Sequence, residues 1–110
     1  MTEIGFFVYI LLCADGSLYT GSTTDVESRL EVHRRGLDPA CHTYPRRPVR
    51  LVWAGGFERW ESALTWERQL KGWSRAKKMA LVNGDWDEIQ RLSRKKGGPP
   101  KSKRGYGHEI

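Results

Sequence analysis

Cysteine is scarce: the 110-residue chain has two, Cys13 and Cys41. Two thiols are too few for a disulfide framework or a four-ligand zinc cage, and the compartment they suit is a reducing cytosol. No apolar run approaches the ~20 residues that span a bilayer. The apolar start MTEIGFFVYILLC has Glu3 ahead of it and no basic segment, unlike a secretory signal. No internal repeat is visible, and the length allows one domain rather than two. A chain this short buries roughly 65% of its unfolded surface, enough for one core without metal or disulfide staples. With 38% hydrophobic and 29% charged residues, the composition is that of a soluble globular domain rather than a disordered chain, and the expected location is cytoplasmic.

Acidic charge is in short supply at one end only. The formal net charge is +6, yet from Ser93 onward Arg94, Lys95, Lys96, Lys101, Lys103 and Arg104 face Glu109 alone. The first 92 residues therefore carry a net charge of +1 and the tail +5. The tail also mixes Gly and Pro with almost nothing apolar, so residues 93–110 are expected to be a disordered appendage to a domain spanning 1–92. It suits nonspecific attraction to nucleic acid phosphates or simple solubilisation.

Hydropathy then orders the elements. The run FFVYILLC (6–13) suits a buried strand, Asp15-Gly16 a hairpin turn, and SLYTG (17–21) the returning strand. Thr24-Asp25-Val26-Glu27 has the form of a capping box and opens a helix that Gly36 closes. Pro39, Pro45 and Pro48 make 37–48 a loop. VRLVWAGGF (49–57) reads as a third strand, with Gly55-Gly56 marking a bulge or its end. Helical spacing follows over 60–72, from Ser74 to Val82 and from Asp85 to Ser93. The order ββαβαα(α) predicts an α/β chain of the α+β type: a small three-stranded, mainly antiparallel sheet flanked by helices.

Polar groups fall on the apolar stripes of two helices. Val26, Leu30 and Leu37 define the stripe of the first, and Arg29 and His33 share that side or its edge. An unpaired buried charge is costly. Arginine offers a planar fork for phosphate oxygens and histidine a proton near neutral pH; alternatively Arg29 pairs with Glu31 or another acid and His33 is satisfied in the core. In the helix after the third strand, Trp60, Ala63, Leu64 and Leu70 face inward, and Glu67 lies on their line. It either pairs with Lys71 at i+4 or serves a hard cation, which takes one or two carboxylates with waters and phosphate oxygens. Tyr9 and Tyr19 lie in the two hairpin strands. A two-residue turn sets Tyr19 opposite Leu12, on the face away from Tyr9. A three-residue turn over Ala14-Asp15-Gly16, with Gly16 left-handed, sets it opposite Leu11, and both tyrosines then share a face. The second register is expected.

These residues together resemble the GIY-YIG nuclease family. Val8-Tyr9-Ile10 stands where the family has GIY and Tyr19-Thr20-Gly21 where it has YIG. The likeness extends through VYILLCADGSLYTGSTTDVESRLEVHRRG, RRPVRLVW and ESALTWERQLKGWSRAKKMALV, covering about residues 5–82. It is similar to the short bacterial single-domain members and to the catalytic subunit of the Slx structure-selective endonuclease. The resemblance implies that Tyr9, Tyr19, Arg29 and His33 are catalytic and that Glu67 binds one Mg²⁺ (or Mn²⁺). Relatives often carry a KYT-like tyrosine before the RRPV segment. Here the chain reads Cys41-His42-Thr43-Tyr44, so His42 or Tyr44 is the candidate substrate-binding replacement. The implied activity is metal-dependent hydrolysis of DNA phosphodiester bonds, in repair or recombination, with a partner subunit suggested by the Slx likeness. The competing reading is a nucleic-acid-binding module that keeps the fold and does not cut.

Overall fold

The computed structural model describes residues 3–94. The elements are β1 (Phe6–Leu12), β2 (Leu18–Thr23), α1 (Val26–Arg35), a 3₁₀ turn (Tyr44–Arg46), β3 (Arg50–Phe57), α2 (Trp60–Lys71), α3 (Arg75–Val82) and α4 (Trp86–Arg94). The three strands form one antiparallel sheet in the order β2-β1-β3, the expected α+β architecture. Two compact units divide between Trp73 and Ser74. Helix α4 continues through Arg94, two residues into the segment expected as tail; the remainder of that segment, 95–110, lies outside the described residues.

The β1–β2 register depends on the turn. Cys13 N donates to Ser17 O at 2.9 Å, leaving Ala14, Asp15 and Gly16 as the loop. Gly16 has φ 87°, a conformation in which a side chain is strained. The pairing that follows is Leu11 opposite Tyr19 and Tyr9 opposite Gly21, the expected three-residue register. Alternation then gives β1 two faces. Tyr9, Leu11 and Cys13 form one core with Val49, joined by Tyr19 and Leu30 of α1. Val8 and Ile10, both fully buried, point the other way.

Helix α2 packs on the sheet from Val8's side, where Ser22 bonds Glu67 of the helix. Its buried side chains are Ala63, Trp66 and Leu70. Trp60, expected inward, is instead 39% exposed at the helix start and rests on Phe6, ring centroids 5.4 Å apart. Trp66 takes the inward place, edge-on to Trp73. The register irregularity in β3 also differs from expectation. It falls where Ile10 pairs with Trp53 and Leu11 with Leu51, so that Val52 is the extra residue. Gly55 and Gly56 pair in register with Val8 and Phe7, and a Cβ on Gly55 would strike the Trp53 indole at 2.6 Å.

Helix α1 starts one residue later than the Thr24 capping box would have it. Asp25 is the N-cap: its Oδ1 accepts from Ser28 N at 3.1 Å and its Oδ2 from Ser28 Oγ at 2.9 Å. The carboxylate reaches the free amide from a residue that is already extended (φ −146°). Gly36 closes the helix at φ 65°. The chain turns outward there, leaving Leu37 55% exposed rather than on the buried stripe.

The loop from 37 to 49 is tied to the hairpin turn. Arg46 Nε meets Asp15 Oδ2 at 3.1 Å, and Ala14 N donates to Arg46 O at 2.9 Å. These contacts dock the loop on the hairpin turn. In the C-terminal unit α3 and α4 pack on each other, with Ala80, Leu81 and Ile89 buried. Ser74 caps α3 by accepting from Lys77 N. No helix among the described residues is long and apolar enough to cross a membrane.

Leu11 has no exposed surface. Leu11→Ala is expected to cost about 2–5 kcal/mol, read as a shifted urea midpoint with an unchanged m-value.

Candidate catalytic centre

The sheet face bearing Tyr9 and Leu11 collects four of the predicted residues. Tyr9 projects from the middle of β1 and is 2% exposed. Its ring lies over Gly21, directly opposite on β2. A Cβ at Gly21 would stand 2.5 Å from the Tyr9 hydroxyl oxygen and 2.7 Å from Cζ, so only glycine admits this placement. Tyr19, two residues earlier on β2, has its ring centroid 6.3 Å from that of Tyr9. Helix α1 brings Arg29 and His33 down from above. Its last turn supplies His33, whose Nε2 is 3.0 Å from the Tyr9 hydroxyl. Arg29, one turn earlier, lies close enough for its charge to favour ionisation of that same hydroxyl. The partner suggested for Arg29 by sequence, Glu31, faces Arg35 in a loose exposed pair at 3.9 Å.

The loop contributes from the other side. Thr43 Oγ1 is 2.7 Å from His33 Nδ1, and Cys41 Sγ is 3.6 Å from the same nitrogen. His42 lays its ring nearly parallel to Tyr19, at 17° and 6.1 Å between centroids. Tyr44 is elsewhere: Arg47 sits over its ring at 4.5 Å. Of the two candidates for the loop position, the structure brings His42 to the tyrosines and leaves Tyr44 apart from them.

Glu67 approaches from across the sheet edge. It sits on α2, and its side chain is 15% exposed. Oε1 accepts from Ser22 Oγ at 2.7 Å, and Oε2 meets Lys71 Nζ at 2.9 Å. The i+4 ion pair foreseen as one alternative therefore forms. Strand β2 stands between the two halves, with Tyr19 and Gly21 toward α1 and Ser22 toward α2. The halves still sense each other electrically, because the Glu67 charge opposes ionisation of Tyr9.

Burial dominates the protonation states. It raises the Tyr9 pKa above the ordinary phenol value despite the hydrogen bond and charge of Arg29, which pull it down. Tyr19 is pushed up to about 12, first by burial and then by Tyr9 and Cys41. His33 is pushed down by burial and by Arg29, with Asp38 opposing weakly, so the imidazole is neutral at pH 7. Burial works against the Arg29 charge as well, but its hydrogen bond to Tyr9 leaves its pKa raised. The resting centre is thus a protonated phenol between a fixed cation and a neutral imidazole. With both ring nitrogens engaged and 2% exposure, His33 reaches substrate only through Tyr9.

The family model described as the GIY-YIG catalytic domain matches residues 5–80. The chain belongs to the GIY-YIG family. The domain is 47% identical over 76 residues to a UPF0213 protein of Staphylococcus aureus strain Mu3, covering 69% of this chain and 92% of that one. A solution NMR structure of protein EF2693 from E. faecalis is 34% identical, spans 76% of this chain and 90% of its own, and superposes with a TM-score of 0.53. The UPF0213 protein BH0048 from Bacillus halodurans is 44% identical over 80% of this chain and 96% of its own, with a TM-score of 0.48. GIY-YIG membership implies nuclease-type chemistry on DNA, and GIY-YIG nucleases generally use divalent metal ions.

Within this GIY-YIG domain, sequence reasoning missed Gly21 as more than a motif letter, missed Thr43 and Ser22 altogether, and gave Cys41 no part in the centre. Gly21 had a signal, since glycine opposite an inward aromatic marks a close approach. Ser22 had a weaker one, as a hydroxyl on the same strand face as the buried Val8. The loop residues had none, because no periodicity fixes where a proline-rich loop points.

Two outcomes follow. Gly21→Ala must push the Tyr9 ring off its seat; a loss of about 1–3 kcal/mol is expected for overpacking, with displaced Tyr9 ring resonances by NMR. The His33 pKa is lower folded than unfolded, so the unfolded chain binds the proton more readily. His33 therefore contributes stability that is full above the unfolded value near 6.5 and is lost as pH falls below it toward the folded value. Thermal midpoints taken from pH 8 down to 5 should decline in the wild type, and His33→Gln should flatten that decline.

Proposed function

We propose that this chain is a metal-dependent endonuclease that hydrolyses a DNA phosphodiester bond at the centre built on Tyr9, Arg29, His33 and Glu67. The observation that carries the reading is the Tyr9 hydroxyl, 3.0 Å from His33 Nε2 and within the field of the Arg29 guanidinium. A phenol so placed has a proton acceptor on one side and a cation on the other. Binding alone requires neither.

Arg29 offsets the charge that gathers on the scissile phosphate as it becomes five-coordinate, a contribution available only if its guanidinium is already in position. The attacking water gives a proton to the Tyr9 oxygen as Tyr9 passes its own to His33 Nε2. The new bond forms from the water oxygen to phosphorus, the bond from phosphorus to the 3′ oxygen breaks, and that oxygen leaves with a proton from solvent. His33 ends as an imidazolium, which returns its proton through Tyr9. Tyr19, with its pKa near 12, stays protonated and orients water or phosphate as a donor. His42, exposed and alongside Tyr19, is the candidate contact to the nucleic acid.

The donors at Glu67 fit a hard cation. A carboxylate and the Ser22 hydroxyl offer oxygen alone, and among the described residues no group of three or more His, Cys, Asp or Glu side chains is assembled to hold a metal. Mg²⁺ characteristically binds through one or two carboxylates and completes its shell with water and phosphate oxygens. Lys71, 57% exposed, is free to swing off the carboxylate. An ion held there, Mg²⁺ or Mn²⁺, supplies Lewis-acid stabilisation of phosphate oxygens. The resemblance to the Slx catalytic subunit supports a role in repair or recombination and a partner subunit.

Nicking of supercoiled plasmid and of branched oligonucleotides tests the proposal. Activity is expected with Mg²⁺ or Mn²⁺ and not with EDTA. Arg29→Ala should lower the rate by about 10²–10³-fold, the size of losing one preplaced electrostatic donor. Tyr9→Phe should lower it by about 10²–10⁴-fold, as for a proton-transfer group. Cutting that survives Glu67→Ala would falsify the site, and a wild type that binds DNA without cutting it would favour the non-catalytic module. Removing 95–110 should weaken DNA binding and flatten its salt dependence by about 0.9 in log–log slope for each phosphate the tail neutralises, leaving the turnover of bound DNA nearly unchanged.

A further inference from the structure

We propose that Thr43 is a positioning residue: its hydroxyl fixes His33 as the Nδ1–H tautomer, which leaves Nε2 facing Tyr9 as an acceptor. The inference deepens the proposed nuclease reading and rests on it for its functional meaning, though not for its structural content.

The assignment comes from counting donors along one series of hydrogen bonds. Arg29, the charged neighbour of Tyr9, has donors only and cannot take the phenol's proton. The phenol's own proton then needs an acceptor in a buried site, and His33 Nε2 lies 3.0 Å away. Neutral imidazole has one N–H. With Nε2 accepting, that proton is on Nδ1 and points at Thr43 Oγ1, 2.7 Å away. Thr43 in turn donates to Cys41 Sγ at 3.5 Å. Tyr9, His33 and Thr43 thus each donate in one direction, ending at Cys41.

The reverse direction fails at Tyr9. An Nε2–H would leave the phenol's own proton without the His33 acceptor, at a side chain 2% exposed and beside an arginine that offers donors only. An unsatisfied buried donor is expensive. Thr43 suits the task because it is itself 1% exposed, and it is held there by the loop's anchor on the hairpin turn. Its hydroxyl can rotate between donor and acceptor roles. Once its proton is on the sulfur side, a lone pair remains for His33. The same hydroxyl then accepts from the imidazolium formed when Tyr9 passes its proton inward.

The ¹⁵N signals of the His33 ring read the tautomer directly. At neutral pH the wild type should show Nδ1 protonated and Nε2 bare. Thr43→Val, nearly the same shape, should shift the population toward Nε2–H and lower the Mg²⁺-dependent nicking rate by about 10- to 100-fold, the scale seen for groups that orient a metal-bound histidine. Thr43→Ser should restore both tautomer and rate. An Nε2–H tautomer in the wild type, or Nδ1–H unchanged in Thr43→Val, overturns the inference whatever the activity. Should Thr43→Val lose its dispersed amide spectrum, the wild-type and Thr43→Ser tautomers decide instead. A wild type with the expected tautomer and no cleavage of any DNA tested would sink the nuclease reading while leaving the role of Thr43 in place.

Discussion

One cross-strand pairing governs the rest: Tyr9 opposite Gly21. A tyrosine in the centre of a three-stranded sheet would ordinarily push its hydroxyl past its neighbours toward solvent. Here the neighbour has no side chain, and the ring lies flat enough for its oxygen to come within 2.5 Å of where a Cβ would stand. That seat sets the height at which α1 can meet the phenol. Arg29 and His33 are four residues apart, one helical turn, so His33 meets that oxygen while the Arg29 charge acts on it. Shift the strand by one residue and every side chain of β2 changes face, so the pair of tyrosines, the stacked His42 and the approach of the histidine all disappear together.

The electrostatic consequence is a site that resists ionisation until something arrives. Burial raises both tyrosines and lowers His33, while Arg29 keeps its charge. A single cation among neutral polar groups attracts an anion, and a phosphodiester carries one negative charge. Glu67 holds the opposing charge on the far side of β2 and is occupied by Ser22 and Lys71. The two halves are arranged around an edge strand rather than within one cleft, so a substrate that engages both must pass along that edge.

How much of this was legible in the sequence varies with the cause. The hairpin register could be argued because turn length and side-chain alternation are linked by geometry. Arg29, His33 and Glu67 could be found because helical spacing exposes polar residues on an apolar stripe. Boundaries were less secure: Asp25 displaced Thr24 as the cap, since either side chain can serve and tertiary packing chooses. Trp60 and Trp66 are about 1.7 turns apart and so point to different sides of the helix, and which one it buries depends on how it is rotated against the sheet. The loop was opaque. Thr43, buried to 1%, is placed by the ion pair of Arg46 with Asp15, two residues far apart in sequence, and by no local pattern. The division at Trp73–Ser74 left no mark either, because Gly72 and Ser74 read as an ordinary helix junction.

Thr20 stands where the family signature has isoleucine. Its hydroxyl is buried, and it is the one such side-chain oxygen or nitrogen among the described residues with no hydrogen-bond partner. The other buried polar side chains, His33 and Thr43, belong to the series of hydrogen bonds around Tyr9. The oxygen at Thr20 does not, and an orphan of this kind costs about 1–3 kcal/mol. The domain therefore carries unused stability at the centre of its own signature, and it folds with that deficit because proteins need only clear a threshold rather than reach an optimum.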